Sequence, residues 1–126
     1  MASSKTVLVI EDDKGITEVM RTIFLMHGIN TVFADNGQDG LRMLAANDID
    51  LIICDFMLPD INGDKILSAV KTNPITAGIP FIFLSAFADA DDINKGLELG
   101  ADLYITKPFS APHLINVVKE KLTPVA

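Results

Sequence analysis

Val7-Leu-Val-Ile-Glu-Asp-Asp13 decides the fold: a short branched apolar run that breaks abruptly into three acids. Four consecutive apolar side chains suit a strand covered on both faces, as in a parallel sheet between two helical layers. Four more short runs lie further along the chain: Thr31-Val-Phe-Ala34, Leu51-Ile-Ile-Cys54, Phe81-Ile-Phe-Leu84 and Leu103-Tyr-Ile-Thr106. Each run precedes a segment whose apolar residues recur at helical spacing. Ile16, Val19, Met20, Ile23 and Phe24 form the first stripe, and Leu41 and Leu44 the second. Ile66, Leu67 and Val70 form the third, Ile93 and Leu97 the fourth, and Leu114, Val117, Val118 and Leu122 the fifth. Helix signals agree with these limits: Asp13 before the first stripe, Gly28 after it, and Ser110 followed by Pro112 at the last.

The order is β-α repeated five times, and right-handed crossovers then put helices on both faces of the sheet. The expected architecture is α/β: a flavodoxin-like (βα)5 doubly wound five-stranded parallel sheet with strand order 2-1-3-4-5. Its ligand crevice lies at the carboxyl ends of strands 1 and 3. Residues 1–126 are expected to form a single domain, with short frayed ends at 1–4 and 123–126.

Composition narrows the function. The 126 residues are 49% hydrophobic and 21% charged, which suits one globular core. Lys and Arg number 10 against 17 Asp and Glu, a net charge of −7. The cations are scattered among acids, so direct nucleic-acid binding is not expected. No apolar run approaches the roughly 20 residues of a membrane helix, and no signal peptide is visible, so no membrane insertion is expected. The single cysteine, Cys54, excludes an internal disulfide and a Cys-rich zinc site. A cytoplasmic protein is the natural reading.

Strand 1 ends in Glu11-Asp12-Asp13, strand 3 in Asp55, strand 4 in Ser85-Ala86 and strand 5 in Lys107-Pro108. All fall on the rim where this fold binds ligands. Singly, each has a plain structural reading. Asp13 suits a helix N-cap, Ser85 can satisfy backbone groups, and Lys107 can be a solvated loop lysine. Together they carry more, because carboxylates crowded at adjacent strand ends repel one another unless a cation neutralises them. With only oxygen ligands, that cation is a hard one, Mg2+. A carboxylate beside Mg2+ can attack a phosphoryl group and hold it as an acyl phosphate, which makes Asp55 the candidate phosphoacceptor. Mg2+ on Asp12 and Asp55 takes one phosphoryl oxygen and the Lys107 ammonium a second. The Ser85 hydroxyl and a backbone amide near Ala86 take the third.

The chain resembles the receiver domains of two-component response regulators over essentially its whole length. The resemblance is carried by Val7-Leu-Val-Ile-Glu-Asp-Asp13, Asp55-Phe-Met-Leu-Pro-Asp-Ile-Asn-Gly63, Leu84-Ser-Ala86 and Gly100-Ala-Asp-Leu-Tyr-Ile-Thr-Lys-Pro-Phe109, in order and at matching spacing. It implies phosphoryl transfer to Asp55 from the phosphohistidine of a histidine kinase or histidine phosphotransfer protein, with Mg2+ required. Asp12 is then the direct carboxylate ligand, Glu11 acts through water, and the Met57 backbone carbonyl supplies a further ligand. Ser85 and Tyr104 match the switch pair, which would remodel the face formed by strand 4, helix 4 and strand 5. The Lys107-Pro108 bond is expected to be cis. Met57 and Phe87 occupy the positions that tune the lifetime of the phosphoaspartate, and both are apolar. Partner specificity is expected on helix 1 and the loop after strand 5, around Gly15, Thr17, Met20, Arg21 and Phe109.

Other readings stand beside these. Tyr104 can be an ordinary sheet aromatic, and Phe87 an outward docking aromatic. Cys54 reads as a buried small hydrophobe, and His27 and His113 as surface or capping residues. Met20, Met26, Met43 and Met57 read as helix or loop packing. A flavodoxin-type cofactor module fails, because Glu11-Asp12-Asp13 would repel its phosphate. A phosphatase resembling the haloacid dehalogenase group would want an acid where Met57 stands. A phosphorylation-independent docking module would not need the full catalytic set. The expected protein is a monomeric phosphoacceptor that phosphorylates and slowly dephosphorylates itself and acts on a downstream target protein, rather than a classical enzyme. A receiver excised from a larger regulator or hybrid kinase is the alternative.

Overall fold

The computed structural model describes residues 5–123, in ten elements that alternate strand and helix. They are β1 (Thr6–Ile10), α1 (Lys14–Met26), β2 (Asn30–Ala34), α2 (Gly37–Ala46), β3 (Leu51–Asp55), α3 (Gly63–Thr72), β4 (Phe81–Ser85), α4 (Ala90–Glu98), β5 (Leu103–Thr106) and α5 (Ala111–Leu122). The five strands form one parallel sheet in the order β2-β1-β3-β4-β5, the topology expected from the sequence.

The unbroken apolar runs have a direct cause. Alternate residues of each central strand serve two separate cores. Leu8, Ile10, Ile52, Cys54, Phe81 and Phe83 face one side, where Ile66, Leu67 and Val70 of α3 cover them. Val7, Val9, Leu51, Ile53, Ile82 and Leu84 face the other, beneath Met20 and Phe24 of α1 and Leu114, Ile115 and Val118 of α5. Two aspartates just before β3 and β5 fix where neighbouring strands begin. Asp50 Oδ2 accepts from the Thr6 N–H at 2.8 Å, and Asp102 Oδ2 accepts from the Phe81 N–H at 2.8 Å.

Helix boundaries follow their caps. Asp13 Oδ1 accepts from the Ile16 N–H at 3.1 Å, and Ser110 Oγ accepts from the His113 N–H at 3.2 Å with Pro112 in the first turn. Gly28 follows α1 with φ of +69°, a conformation that favours glycine. Two stripe residues depart from expectation: Val19 is 51% exposed and Leu97 is 40% exposed. In α4 the buried residue is Gly96, whose missing side chain lets the helix sit against Tyr104, so Leu97 turns away from the core. Of the frayed ends expected at 1–4 and 123–126, all but Thr123 lie outside the described residues. Thr123 is the C-cap of α5, and its Oγ1 donates to the Lys119 carbonyl at 2.7 Å.

Gly63 opens α3 in close contact with the end of β3. A Cβ there would lie 2.6 Å from the Asp55 carbonyl oxygen and 3.0 Å from Phe56 Cα. Backbone atoms cannot swing aside as a side-chain tip can. Gly63→Ala is therefore expected to cost about 1–3 kcal/mol of unfolding free energy, checked by urea denaturation.

Candidate functional site

Register brings the rim residues together. Ile10 is level with Cys54, and Asp55 with Leu84, so β1, β3 and β4 run out at nearly the same height. Glu11 continues β1 by donating its N–H to the Ala34 carbonyl at 2.9 Å, and its side chain is 1% exposed. Asp55, the last residue of β3, is 7% exposed. Asp12 is exposed beside them, and Asp13 turns away to cap α1. Lys107 leaves β5 with its N–H on the Ser85 carbonyl at 2.8 Å, and its bond to Pro108 is cis, as expected. Its ammonium lies 2.6 Å from Glu11 Oε1 and 2.9 Å from Asp55 Oδ2. Asp55 Oδ1 accepts from the Met57 N–H at 3.2 Å.

The electrostatics follow from this crowding. Burial, with repulsion from Asp55 added, pushes the Glu11 carboxyl up to about 7, although Lys107 and the Asp13 amide oppose the shift. Burial alone would lower the Lys107 ammonium, yet its contacts with Glu11 and Asp55 carry it above the usual lysine range. Glu11, Asp12 and Asp55 each offer an oxygen within 4.8 Å of the others. Glu11 Oε1 is buried and makes no well-aligned hydrogen bond, so Lys107 meets it as a charge only. When all are ionised, three carboxylates against one ammonium leave an excess of negative charge. An all-oxygen set of that charge fits a hard divalent cation.

Ser85 and Tyr104 meet through Phe87. Ser85, 1% exposed, accepts from the Phe87 N–H at 3.0 Å, and the Tyr104 hydroxyl donates to the Phe87 carbonyl at 2.8 Å. The half-buried Tyr104 ring packs 6.1 Å from Phe83. Phe87 is 42% exposed and stands edge-on to Phe56 at 6.3 Å, while Phe56 lies 5.2 Å from Phe83. Phe56, Phe87, Asp92, Lys95 and Tyr104 enclose a cavity of about 130 Å³. Ala86 is exposed at the rim. The role of Phe56 was not legible in the sequence, because nothing in a residue next to Asp55 announces contacts with β4 and the loop after it.

The five residues expected to set partner specificity do not share one surface. Gly15 and Phe109 line a groove of about 720 Å³ between α1 and the β5–α5 connection, with Ile16, Val19 and Pro108. Thr17 and Arg21 line a different hollow, where the Arg21 guanidinium sits 4.3 Å over the Phe33 ring. Met20 is wholly buried in the α1–α5 core, which removes it from any docking surface. His27 caps α1 and His113 stands in the first turn of α5, and both are exposed. The Cys54 thiol is buried and donates to the Asp55 carbonyl at 3.2 Å. Burial first, then the Asp55 and Glu11 charges, hold it well above the usual thiol range and keep it protonated.

Residues 7–119 match the response regulator receiver domain family. The phosphate regulon transcriptional regulatory protein PhoB of Pseudomonas aeruginosa is 36% identical over 118 residues, which cover 94% of this chain and 52% of PhoB. The chain thus spans about half the length of the curated relatives it matches. The receiver domain of the Francisella response regulator 1452 superposes with a TM-score of 0.88 at 34% identity, covering 94% of this chain and 97% of that one. The receiver domain of a signal transduction histidine kinase from Syntrophus aciditrophicus does so with a TM-score of 0.86 at 33% identity, covering 94% and 90%.

The raised Glu11 carboxyl makes stability depend on pH. The folded protein holds this proton more tightly than the unfolded chain, so metal-free stability falls as pH rises from about 4.5 to about 7. The slope is at most about 1.4 kcal/mol per pH unit. Urea titrations across that range are expected to show the fall in metal-free wild type. Glu11→Gln should flatten it.

Proposed function

The chain belongs to the response regulator receiver domain family, and from that premise we propose that it accepts a phosphoryl group on Asp55 within a two-component or phosphorelay system. The observation that carries this reading is the Lys107 ammonium between the Glu11 and Asp55 carboxylates, with Asp12 beside them. Asp55 is the nucleophile: one of its oxygens forms a bond to phosphorus while the bond from phosphorus to the donor breaks. The electron pair leaves with the donor, the imidazole of a phosphohistidine or the acetate of acetyl phosphate. Asp12, Asp55, the Met57 carbonyl and, through water, Glu11 would hold Mg2+, which when bound supplies positive charge to one phosphoryl oxygen. Lys107 balances a second oxygen. The Ser85 hydroxyl and the Ala86 amide receive the third, and Tyr104 follows Ser85 in the switch of the β4, α4 and β5 face.

The partners of this reading are a histidine kinase or histidine phosphotransfer protein and a downstream target protein. The apolar groove lined by Gly15, Val19 and Phe109 supports docking of the phosphodonor beside α1. Among the described residues no helix is long and apolar enough to cross a membrane, and we take the protein to act in the cytoplasm as a single receiver domain and a monomer. Coverage of about half of PhoB supports a second reading, in which the same chemistry serves a larger regulator or a hybrid kinase.

Incubation with acetyl phosphate and Mg2+, followed by intact-mass spectrometry, tests the phosphoacceptor. One phosphoryl adduct is expected on wild type and none on Asp55→Asn; an equal adduct on the mutant overturns the assignment. The lifetime of the adduct is a separate expectation. Hydrolysis needs a water held in line with the Asp55–phosphorus bond, and neither Met57 nor Phe87 offers a polar side chain to hold it. The phosphorylated state should therefore outlast those of fast chemotaxis-type receivers. Met57→Asn combined with Phe87→Glu should shorten it by on the order of ten- to a hundredfold, read as phosphate release from radiolabelled protein. An unchanged rate would show that water positioning does not set the clock.

A further inference from the structure

Asp60 stands in the connection between β3 and α3, where it is exposed, yet its carboxylate is fully engaged. Oδ1 accepts from the Gly37 N–H at 2.8 Å and from the Ile61 N–H at 2.9 Å, and Oδ2 accepts from the Gln38 N–H at 2.9 Å. Gly37 and Gln38 begin α2, where amides lack partners inside the helix and the helix dipole favours a negative charge. The Gln38 and Gly37 amides hold the carboxyl below its ordinary range, so it is ionised at neutral pH. Yet α2 has a cap of its own, because Asn36 Oδ1 accepts from the Asp39 N–H at 2.8 Å. Asp60 comes from 23 residues along the chain, and what it adds is a tie between two segments.

The other segment is the connection that leaves Asp55. Its base is closed by the Gly63 N–H on the Phe56 carbonyl at 2.7 Å, and its middle is held by the buried Leu58. Its tip rests on α2 through Asp60 and through Ile61, which packs so closely that a Cβ on Gly37 would lie 2.3 Å from Ile61 Cγ1. Between base and tip lies Met57, whose N–H holds Asp55 Oδ1 at 3.2 Å. Met57 thus sits three residues before the point where the connection is fastened to α2.

We propose that Asp60 is a positioning residue for the divalent-cation site: by fastening the connection to the start of α2, it fixes the backbone on either side of Met57, where the N–H steadies the Asp55 carboxylate and the carbonyl is the ligand assigned above. The inference rests on the metal-site reading of Glu11, Asp12 and Asp55 and adds a support three residues beyond Met57. Groups that orient metal ligands at one remove affect affinity strongly, commonly by about ten- to a hundredfold. Asp60 acts through a backbone segment, which puts its effect at the lower end.

Two measurements on the full chain test this. Amide hydrogen exchange of the metal-free protein is expected to accelerate at Gly37, Gln38 and Met57 in Asp60→Ala; unchanged protection at Met57 overturns the proposal without reference to any metal. Calorimetric titration with Mg2+ at fixed ionic strength then compares wild type with four variants. Asp60→Ala should weaken binding about tenfold. Asp60→Asn, which keeps an oxygen for the Gly37 and Ile61 amides, should lose clearly less. Asn36→Ala loosens α2 without touching the connection and should bind as wild type does. Equal losses in Asp60→Asn and Asp60→Ala would mean that bulk charge is responsible, and an equal loss in Asn36→Ala would mean that α2 stability is; either outcome overturns the positioning role. Asp12→Ala reports on the metal site itself. If wild type binds Mg2+ no better than Asp12→Ala, the metal-site reading fails and the calorimetric part of the proposal with it.

Discussion

The ammonium of Lys107, held between Glu11 and Asp55, is the contact on which the rim depends. Both carboxylates are almost wholly buried, and removing a charge from water costs several kcal/mol unless a partner compensates. One lysine cannot fully balance two buried acids and a third beside them. Burial, with the Asp55 charge added, pushes the Glu11 carboxyl up to about 7 despite Lys107. The site is thus built with a deficit of positive charge, which favours the divalent cation of the proposed function. A rim neutralised completely by the protein would have nothing to attract it.

The sheet dictates where such a cluster can form. Every central strand is covered on both faces, so no charged side chain can be accommodated along its length without burial in apolar surroundings. The carboxyl ends are the first positions where a side chain leaves both cores at once. Register then does the assembling: β1 ends one residue short of β3 and β3 one residue short of β4, and the Lys107 N–H continues the β5 ladder onto Ser85. Acids and cation converge because the strands that carry them stop together.

That logic also explains what could be read from the sequence. Continuous apolar runs ending in acids are legible because strands of this kind have two buried faces, and the site residues sit at their ends. Helix faces were less legible. Spacing gives a stripe but not its limits: α1 carries exposed Val19, Leu25 and Met26 beside buried Met20 and Phe24. In α4 the residue that meets the core is Gly96, which has no hydrophobicity to reveal it. Asp60 was the hardest to read. An Asp after a Pro looks like an ordinary turn residue, and two of the three amides it holds lie 22 and 23 residues away, where only the folded chain brings them.

Phe87 shows how a change at the rim could reach the far edge of the sheet. Its N–H donates to Ser85 Oγ, and its carbonyl accepts from the Tyr104 hydroxyl. One residue therefore holds the two halves of the proposed switch. If Ser85 turned its oxygen toward a phosphoryl group on Asp55, the Phe87 N–H would lose its acceptor, and the peptide that anchors Tyr104 would be free to move. The Phe87 ring meets Phe56, which follows Asp55 directly and also touches Phe83, the ring against which Tyr104 packs. Backbone and aromatic contacts therefore join the same endpoints by two routes. The cavity among Phe56, Phe87 and Tyr104 leaves space into which the rings can shift. An apolar side chain at Phe87 forgoes any hold on a hydrolytic water, but it gives this connection a bulky group that a polar residue would not supply. In this chain the residue expected to lengthen the life of the phosphoryl group is also the one through which its presence would be felt.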